Sequence, residues 1–297
     1  WSFVDMGSTG ALNSDVAIGN GKNDGKMRVY VANSNARVRE FDYNSGVWTS
    51  TTIWTGTGDD NTILRKVCIG DGRNDATYRV YTGGANGRFY ETWYNTVSST
   101  WTTSLTTATG GGNITGLVMG NGRNDVAPTN RLYTCGSDDR VNEYSYSGGW
   151  TKTSMVNTDL FALTISPRAI GLGAGRNDGV QRLYVACNDR HVYEYTGSTG
   201  LTVYTKVDCG AVSSGTNDLY SIEVGEGRIA GTTSIFVTCQ DKHTYELYWN
   251  TSAYVITDLG ATNDIVNETF AGDGRNDGDR HLYGAGKDNY LYEFTYY

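Results

Sequence analysis

Arginine and glutamate recur at a fixed spacing in this sequence. In four places an Arg stands twelve residues before a Glu: Arg28 and Glu40, Arg79 and Glu91, Arg131 and Glu143, Arg182 and Glu194. Two positions after each Arg comes an aromatic residue, namely Tyr30, Tyr81, Tyr133 or Tyr184. A guanidinium fork and a carboxylate can chelate vicinal hydroxyls, and an aromatic ring packs on the apolar face of a sugar. The alternative interpretation is a structural ion pair, repeated because its surroundings are repeated.

These residues belong to a repeat that accounts for the whole chain. Six strings of the type GxG[KR]ND, one of them degenerate, begin at Gly19, Gly70, Gly120, Gly173, Gly225 and Gly272. A glutamate follows in each repeat, at Glu40, Glu91, Glu143, Glu194, Glu246 and Glu293. The steps between these glutamates are 51, 52, 51, 52 and 47 residues. A fixed period of about fifty residues is typical of propeller and solenoid proteins.

Each repeat has the pattern of four β-strands. Short runs rich in Val, Tyr, Thr and Ile are bounded by Gly, Asn, Asp and Ser, and no helical period is present. In the first repeat the predicted strands cover residues 16–19, 28–32, 37–43 and 48–53. Four-stranded repeats of this length predict an all-β fold, the β-propeller, in which each repeat is one antiparallel blade. Arg and Glu are then expected opposite each other on one sheet face.

The two ends of the chain predict a closed ring. The aromatic residue that opens the fourth strand is Trp48, Trp101, Trp150, Tyr204 or Tyr254 in the first five repeats, whereas the sixth stops at Tyr297. The missing strand matches Trp1–Gly7, which aligns with Tyr254–Gly260. The sequence therefore predicts a single six-bladed propeller domain over residues 1–297, with 1–7 completing the last blade and removing two open sheet edges.

The GxG[KR]ND loop has two interpretations. Glycine and asparagine tolerate positive φ, and an aspartate can bond to its own backbone, so the loop suits a tight turn between strands. The other interpretation is a calcium loop, which usually has carboxylates at alternating positions. Here a Lys or Arg lies among the acceptors and would repel the cation, which favours the structural turn and predicts no metal.

Composition excludes several classes of function. The charge of -8 and the absence of a Lys/Arg cluster argue against nucleic-acid binding, and no apolar stretch is long enough for membrane insertion. The three histidines form no HExxH motif, no GxSxG is present, and sixfold repetition favours multivalent binding over one catalytic centre. We therefore expect no enzyme and no cofactor. The five cysteines form no CxxC pair and are expected to be mostly free, buried thiols.

Three features of the repeat resemble the six-bladed fucose-binding lectins of the Aleuria type. They are the R[VL]Y run, the [VF]xE run and the following strand, which opens with an aromatic residue. In that family the Arg and Glu come from one blade and a Trp or Tyr from the next. The resemblance implies four carbohydrate-binding clefts: Arg28, Glu40 and Trp101; Arg79, Glu91 and Trp150; Arg131, Glu143 and Tyr204; Arg182, Glu194 and Tyr254. It does not extend to the GxG[KR]ND loop.

Two hypotheses for function follow. The first is a multivalent lectin that binds glycans or glycoconjugates outside the cell or at its surface. The alternative is a non-enzymatic structural or adhesive cell-surface propeller in which the Arg–Glu pairs hold the blades together. Loss of the Arg in the last two repeats, where Ser234 and His281 replace it, favours independently tuned sites. Three N-x-S/T acceptors, at Asn113, Asn250 and Asn267, fit a secreted chain.

Overall fold

A computed structural model describes residues 11–60, 62–105, 112–127, 129–155, 165–197, 204–214, 218–227, 231–272, 281–286 and 291–294. These residues form strands β1 to β23 and one 3-10 turn, Gly58–Asp60, with no α-helix among them. No helix in the described part of the chain is long and apolar enough to cross a membrane.

The strands form five four-stranded antiparallel sheets and one three-stranded sheet, each built from consecutive strands. Sheet 1 contains β1 (Asn13–Gly19), β2 (Arg28–Asn33), β3 (Arg37–Asn44) and β4 (Val47–Thr55). Sheet 2 contains β5 (Leu64–Gly70), β6 (Arg79–Gly84), β7 (Phe89–Asn95) and β8 (Thr100–Leu105). Sheet 3 contains β9 (Ile114–Gly120), β10 (Arg131–Gly136), β11 (Val141–Tyr146) and β12 (Trp150–Ser154).

The second half of the chain repeats this arrangement. Sheet 4 contains β13 (Pro167–Gly173), β14 (Arg182–Cys187), β15 (His191–Thr196) and β16 (Thr205–Ala211). Sheet 5 contains β17 (Leu219–Glu226), β18 (Thr233–Cys239), β19 (His243–Trp249) and β20 (Tyr254–Ala261). Sheet 6 contains β21 (Val266–Gly272), β22 (His281–Gly286) and β23 (Leu291–Phe294). The predicted strand order and the strand limits of the first repeat are confirmed to within a few residues.

The chain divides into two compact units. The first comprises Trp1–Gly120, Asn130–Asp138 and Asn142–Thr153, and the second comprises Asn121–Thr129, Asp139–Val141 and Ser154–Tyr297. Sheets 1 and 2 and most of sheet 3 lie in the first unit, and sheets 4 to 6 lie in the second.

The hydrophobic core lies between the faces of successive sheets. Between sheets 1 and 2 it includes Tyr30, Val38, Leu64 and Val80, all fully buried. Equivalent clusters form between sheets 2 and 3, between sheets 4 and 5, and between sheets 5 and 6. The middle strands of sheets 2 and 5 are therefore covered on both faces, which explains their nearly continuous apolar sequence.

The cysteines are free thiols in the structure, as predicted: Cys68, Cys135, Cys187, Cys209 and Cys239. The predicted closing strand, 1–7, lies outside the described residues.

Candidate functional site

The GxG[KR]ND loop joins the first two strands of a sheet and is a tight turn. Its asparagine has a positive φ wherever the loop is described, with φ of 60° at Asn23, 58° at Asn74, 55° at Asn124 and 59° at Asn177. Asparagine adopts this left-handed conformation more readily than most other non-glycine residues. The loop therefore has the local structure expected of a structural turn.

The first glycine of the loop makes room for the next sheet. A β-carbon at Gly19 would lie 2.8 Å from Ile69 Cγ2, and one at Gly70 would lie 2.6 Å from Met119 Sδ. The same relation holds between Gly225 and the β-carbon of Ala271. Real β-carbons do not approach other atoms this closely, so a side chain at any of these positions would force the neighbouring first strand or its side chains to shift.

The second glycine of the loop lies against the hydroxyl of the repeated tyrosine. A β-carbon at Gly21, Gly72 or Gly175 would lie 2.6, 2.8 or 2.6 Å from the hydroxyl of Tyr30, Tyr81 or Tyr184, respectively. The backbone of the loop therefore lies directly over the tyrosine hydroxyl, which is removed from solvent.

The loop aspartate binds the repeated arginine that stands twelve residues before the glutamate. Two guanidinium nitrogens of Arg79 donate to the two carboxylate oxygens of Asp75, at 2.8 and 2.6 Å. The same bidentate pair joins Arg28 to Asp24 and Arg182 to Asp178. These hydrogen bonds lower the pKa of Asp24, Asp75 and Asp178 to about 2. Each arginine is thus already engaged by a carboxylate from its own loop.

The repeated glutamate is buried and is bound by the loop cation. Arg73 Nε donates to Glu91 Oε1 at 2.9 Å, and Arg176 Nε donates to Glu194 Oε2 at 2.8 Å. In sheet 1 a lysine takes this position, with Lys22 Nζ 2.6 Å from Glu40 Oε1. Glu40, Glu91 and Glu194 are at most 2% exposed, so a cation from the loop neutralises each of these carboxylates inside the protein.

The tyrosine supplies a second donor to the same carboxylate. Tyr81 donates its hydroxyl to Glu91 Oε1 at 2.9 Å, and Tyr30 donates to Glu40 Oε2 at 3.1 Å. Burial, together with the neighbouring carboxylate charge, raises the pKa of both tyrosines. The phenols therefore act as hydrogen-bond donors.

The predicted facing of Arg and Glu needs a correction. Tyr30 lies directly opposite Glu40 in the β2–β3 register, and Tyr81 lies directly opposite Glu91. The arginine is one pair further along the same face, with Nε-to-Glu distances of 3.9 Å for Arg28, 3.6 Å for Arg79, 3.7 Å for Arg131 and 3.4 Å for Arg182. The centre of the hairpin lies one residue later than expected, which brings the tyrosine, in place of the arginine, opposite the glutamate.

In three of the four sets, the aromatic residue predicted from the next sheet lies close to the repeated tyrosine. Ring centroids are 6.1 Å apart for Tyr30 and Trp101, and 5.8 Å apart for Tyr81 and Trp150. Tyr254 lies 6.3 Å from Tyr184 and donates its hydroxyl to Glu194 Oε2 at 2.5 Å. Loop cations also stack on rings of the next sheet, with Arg176 4.1 Å from the Trp249 centroid and Arg73 4.6 Å from that of Tyr146.

The third set is divided between the two compact units. Arg131 and Glu143 belong to the first unit, and Glu143 is buried. Tyr204 belongs to the second unit, where it is buried with the Arg123 guanidinium 5.8 Å from its ring centroid.

The last two repeats depart from the pattern. In sheet 5 Phe236 takes the place of the tyrosine opposite Glu246, and Ser234 takes the place of the arginine, all three being buried. In sheet 6 the side chains of His281 and Glu293 lie outside the part that the structure describes.

Three residue types of this arrangement were not predicted from the sequence: the loop cation, the loop aspartate and the loop asparagine. A signal for two of them is present. The cation stands eighteen residues before the glutamate in three repeats (Lys22, Arg73 and Arg176), and the aspartate stands four residues before the arginine in the same repeats. These constant spacings identify the loop cation and the loop aspartate in the same way as the twelve-residue spacing identifies Arg and Glu.

The polar atoms of these groups are largely occupied by other groups of the protein, which leaves little hydrogen-bonding capacity for a ligand. In sheets 1, 2 and 4 both oxygens of the glutamate and the terminal nitrogens of the arginine are bonded within the protein. Among the described residues, no group of three or more His, Cys, Asp or Glu side chains is placed to hold a metal ion.

Comparison with known proteins gives the fold. No protein-family model matches the chain, and no curated protein is similar to it in sequence. Two crystal structures of BBS1N in complex with ARL6DN are similar in structure, one soaked with lead and one with mercury. Their TM-scores are 0.59 and 0.60, and their sequences are 13% and 14% identical. The similarity covers 94% and 95% of this chain and 77% and 79% of those chains. The chain is an all-β protein with the β-propeller fold.

Proposed function

We propose that this chain is a non-enzymatic propeller scaffold that binds other macromolecules on its surface, with its Arg–Glu groups holding neighbouring blades together. One observation carries the proposal. Glu91 is fully buried, Arg73 and Tyr81 donate hydrogen bonds to its carboxylate, and Tyr146 of the next sheet accepts a hydrogen bond from Arg73 Nη1 at 3.2 Å. The network thus runs from one blade to the next and contains the groups that a sugar would have to reach.

The energetics favour this role over a lectin site. A hydrogen bond to a charged group contributes about 1.5–3 kcal/mol, and breaking a buried ion pair from one side costs about 3–5 kcal/mol. A sugar that displaced Arg73 from Glu91, or Asp75 from Arg79, would have to replace these interactions before it gained affinity. The groups are therefore better suited to joining blades than to exchanging partners with a ligand.

The structural comparison supports binding of a macromolecule. BBS1N is in complex with another protein, ARL6DN, in both similar crystal structures. At 13–14% identity this likeness shows the fold alone; that this propeller also presents its surface to a protein partner is part of our proposal. Adhesion at a cell surface is one form of this role.

The experiment compares two arginine variants of the same sheet. Arg79→Ala removes a side chain that is 7% exposed and leaves Asp75 without its bidentate partner. We expect a loss of about 2 kcal/mol in the free energy of unfolding, measured by urea denaturation, because the variant loses charge-assisted hydrogen bonds of a buried guanidinium. Arg88→Ala removes a half-exposed partner of Asp60 and is the control, with an expected loss below about 1 kcal/mol.

A glycan array on the unaltered protein tests the lectin hypothesis directly. We expect no patterned response to fucosylated or other glycans. A patterned response that disappears in Arg79→Ala, with the stability of that variant unchanged, would establish the lectin and refute the structural role.

A further inference from the structure

Asn250 lies at the tip of the β19–β20 hairpin, in the sequence Asn250-Thr251-Ser252. Residues 250–253 are all exposed. The Asn250 main-chain N–H donates to the Ala253 carbonyl at 3.0 Å, which closes the turn. The N-x-S/T pattern is thus presented on a short solvent-facing turn, as an N-glycan acceptor requires.

The side chain of Asn250 has a defined orientation. Its Oδ1 accepts three hydrogen bonds: from the Ser252 N–H at 3.2 Å, from the Ser252 hydroxyl at 3.1 Å and from the Ala253 N–H at 3.0 Å. Donors on one side of the amide identify that side as oxygen. The NH2 group consequently points away from the turn, toward solvent.

The other two acceptor patterns lack this arrangement. At Asn113 the hydroxyl of Thr115 contacts Cys135 Sγ at 3.6 Å, and Asn113 is half-buried. At Asn267, on strand β21, the hydroxyl of Thr269 is buried and lies 3.0 Å from the hydroxyl of Ser221 on the adjacent sheet. In both cases the hydroxyl two residues after the asparagine is engaged elsewhere in the fold.

We propose that Asn250 is an N-glycosylation site and that Asn113 and Asn267 are not. The proposal rests on the cell-surface form of the function proposed above. The co-reactant is an oligosaccharide linked to a lipid pyrophosphate. The Asn250 Nδ2 forms a bond to the anomeric carbon of the first sugar, the bond from that carbon to the pyrophosphate oxygen breaks, the lipid pyrophosphate leaves, and the amide proton passes to a base of the transferase.

The orientation of Asn250 depends on local contacts alone. All of the hydrogen bonds that orient Asn250 come from residues 250–253, so the acceptor geometry does not depend on distant contacts. In the folded protein the same tip is exposed, so an attached glycan extends into solvent without displacing core side chains.

The test is secretion of the full chain from eukaryotic cells, followed by gel mobility before and after peptide N-glycosidase. We expect one discrete enzyme-sensitive step in the unaltered protein. The step should disappear in Asn250→Gln and in Ser252→Ala, which retains the backbone donor but lacks the hydroxyl. It should persist in Asn113→Gln and Asn267→Gln.

The chain also provides a matched control turn. Asn95 Oδ1 accepts hydrogen bonds from the Val97 N–H at 2.9 Å and the Ser98 N–H at 3.1 Å, but residue 97 carries no hydroxyl. Val97→Ser should therefore add a second step. Absence of any step in the unaltered protein, a step that survives Asn250→Gln, or no gain in Val97→Ser would overturn the proposal. The denaturation test of Arg79→Ala and Arg88→Ala is independent of these outcomes, so failure of the glycosylation proposal can be distinguished from failure of the proposed function.

Discussion

The side chain of Asn74 joins two consecutive blades by binding the backbone of Asn130. Its Nδ2 donates to the Asn130 carbonyl at 3.1 Å, and its Oδ1 accepts the Asn130 N–H at 2.6 Å. The same double contact joins Asn23 to Tyr78, Asn124 to Gln181 and Asn177 to Thr233. Three of the contacted residues immediately precede a second strand, and Thr233 is the first residue of one, so the loop of one blade fixes where the middle of the next blade begins.

Removing this contact should destabilise the protein measurably. In Asn74→Gly the glycine can adopt the φ of 58°, but both side-chain hydrogen bonds are lost. The expected loss in the free energy of unfolding is about 2 kcal/mol. Asn74→Ala should lose about 1 kcal/mol more, because alanine is strained at this φ. Urea denaturation gives both values.

Ser45→Gly controls for the flexibility that glycine adds. Ser45 is exposed, with a φ of 51° in the turn between β3 and β4. This variant should have close to unaltered stability. If Asn74→Gly behaved like Ser45→Gly, the double contact would contribute nothing.

The second glycine of the loop should not accept a side chain. Gly72→Ala places a β-carbon 2.7 Å from Met119 Cε and 2.8 Å from the Tyr81 hydroxyl. We expect a loss of about 1–3 kcal/mol in thermal or urea unfolding, since overpacking of this kind forces neighbours to move. Gly149→Ala meets no atom within 4 Å and should change stability by less than about 0.5 kcal/mol. Equal stabilities of the two variants would contradict the close packing.

The Asp–Arg pairs predict a loss of stability in acid. The folded-state pKa of Asp75 is about 2, below its ordinary value of 3.8. A carboxylate with a depressed pKa stabilises the fold above its unfolded pKa, and that contribution is lost as pH falls from about 4 to about 2. The stability difference between the unaltered protein and Asp75→Asn should therefore be constant near neutral pH and shrink toward pH 2. If this stability difference did not change with pH, the Asp75–Arg79 pair would not be the cause of the loss of stability in acid.

The thiols should be unreactive in the folded protein. Cys135, Cys187 and Cys239 are at most 1% exposed, and burial raises the pKa of Cys135 to about 12. Iodoacetamide at neutral pH should not modify these three residues until the chain is unfolded, since the thiolate is the reactive form. Peptide mapping by mass spectrometry reads each residue separately. Modification of Cys135 in the native protein at the rate of a free thiol would disprove this burial.

The sequence by itself determined the strands and the residues that share a sheet face. Alternation and turn residues are local signals, so the limits of β2 and β3 and the shared face of Arg28, Tyr30 and Glu40 followed directly from the fifty-residue repeat. The period also predicted the propeller. The resemblance to the lectins implied that Trp101 of the next blade joins Arg28 and Glu40, and the structure places its ring 6.1 Å from that of Tyr30.

The tertiary structure decided which partner each charged group takes. Arg79 faces both Asp75 and Glu91 across short distances, and the fold of the loop gives its hydrogen bonds to Asp75 while Arg73 takes Glu91. The asparagine contacts leave no signal in the partner sequence, because they bind backbone atoms of residues as different as Tyr78 and Thr233. A backbone amide is the same in every residue, so only the packing of one blade on the next reveals that contact.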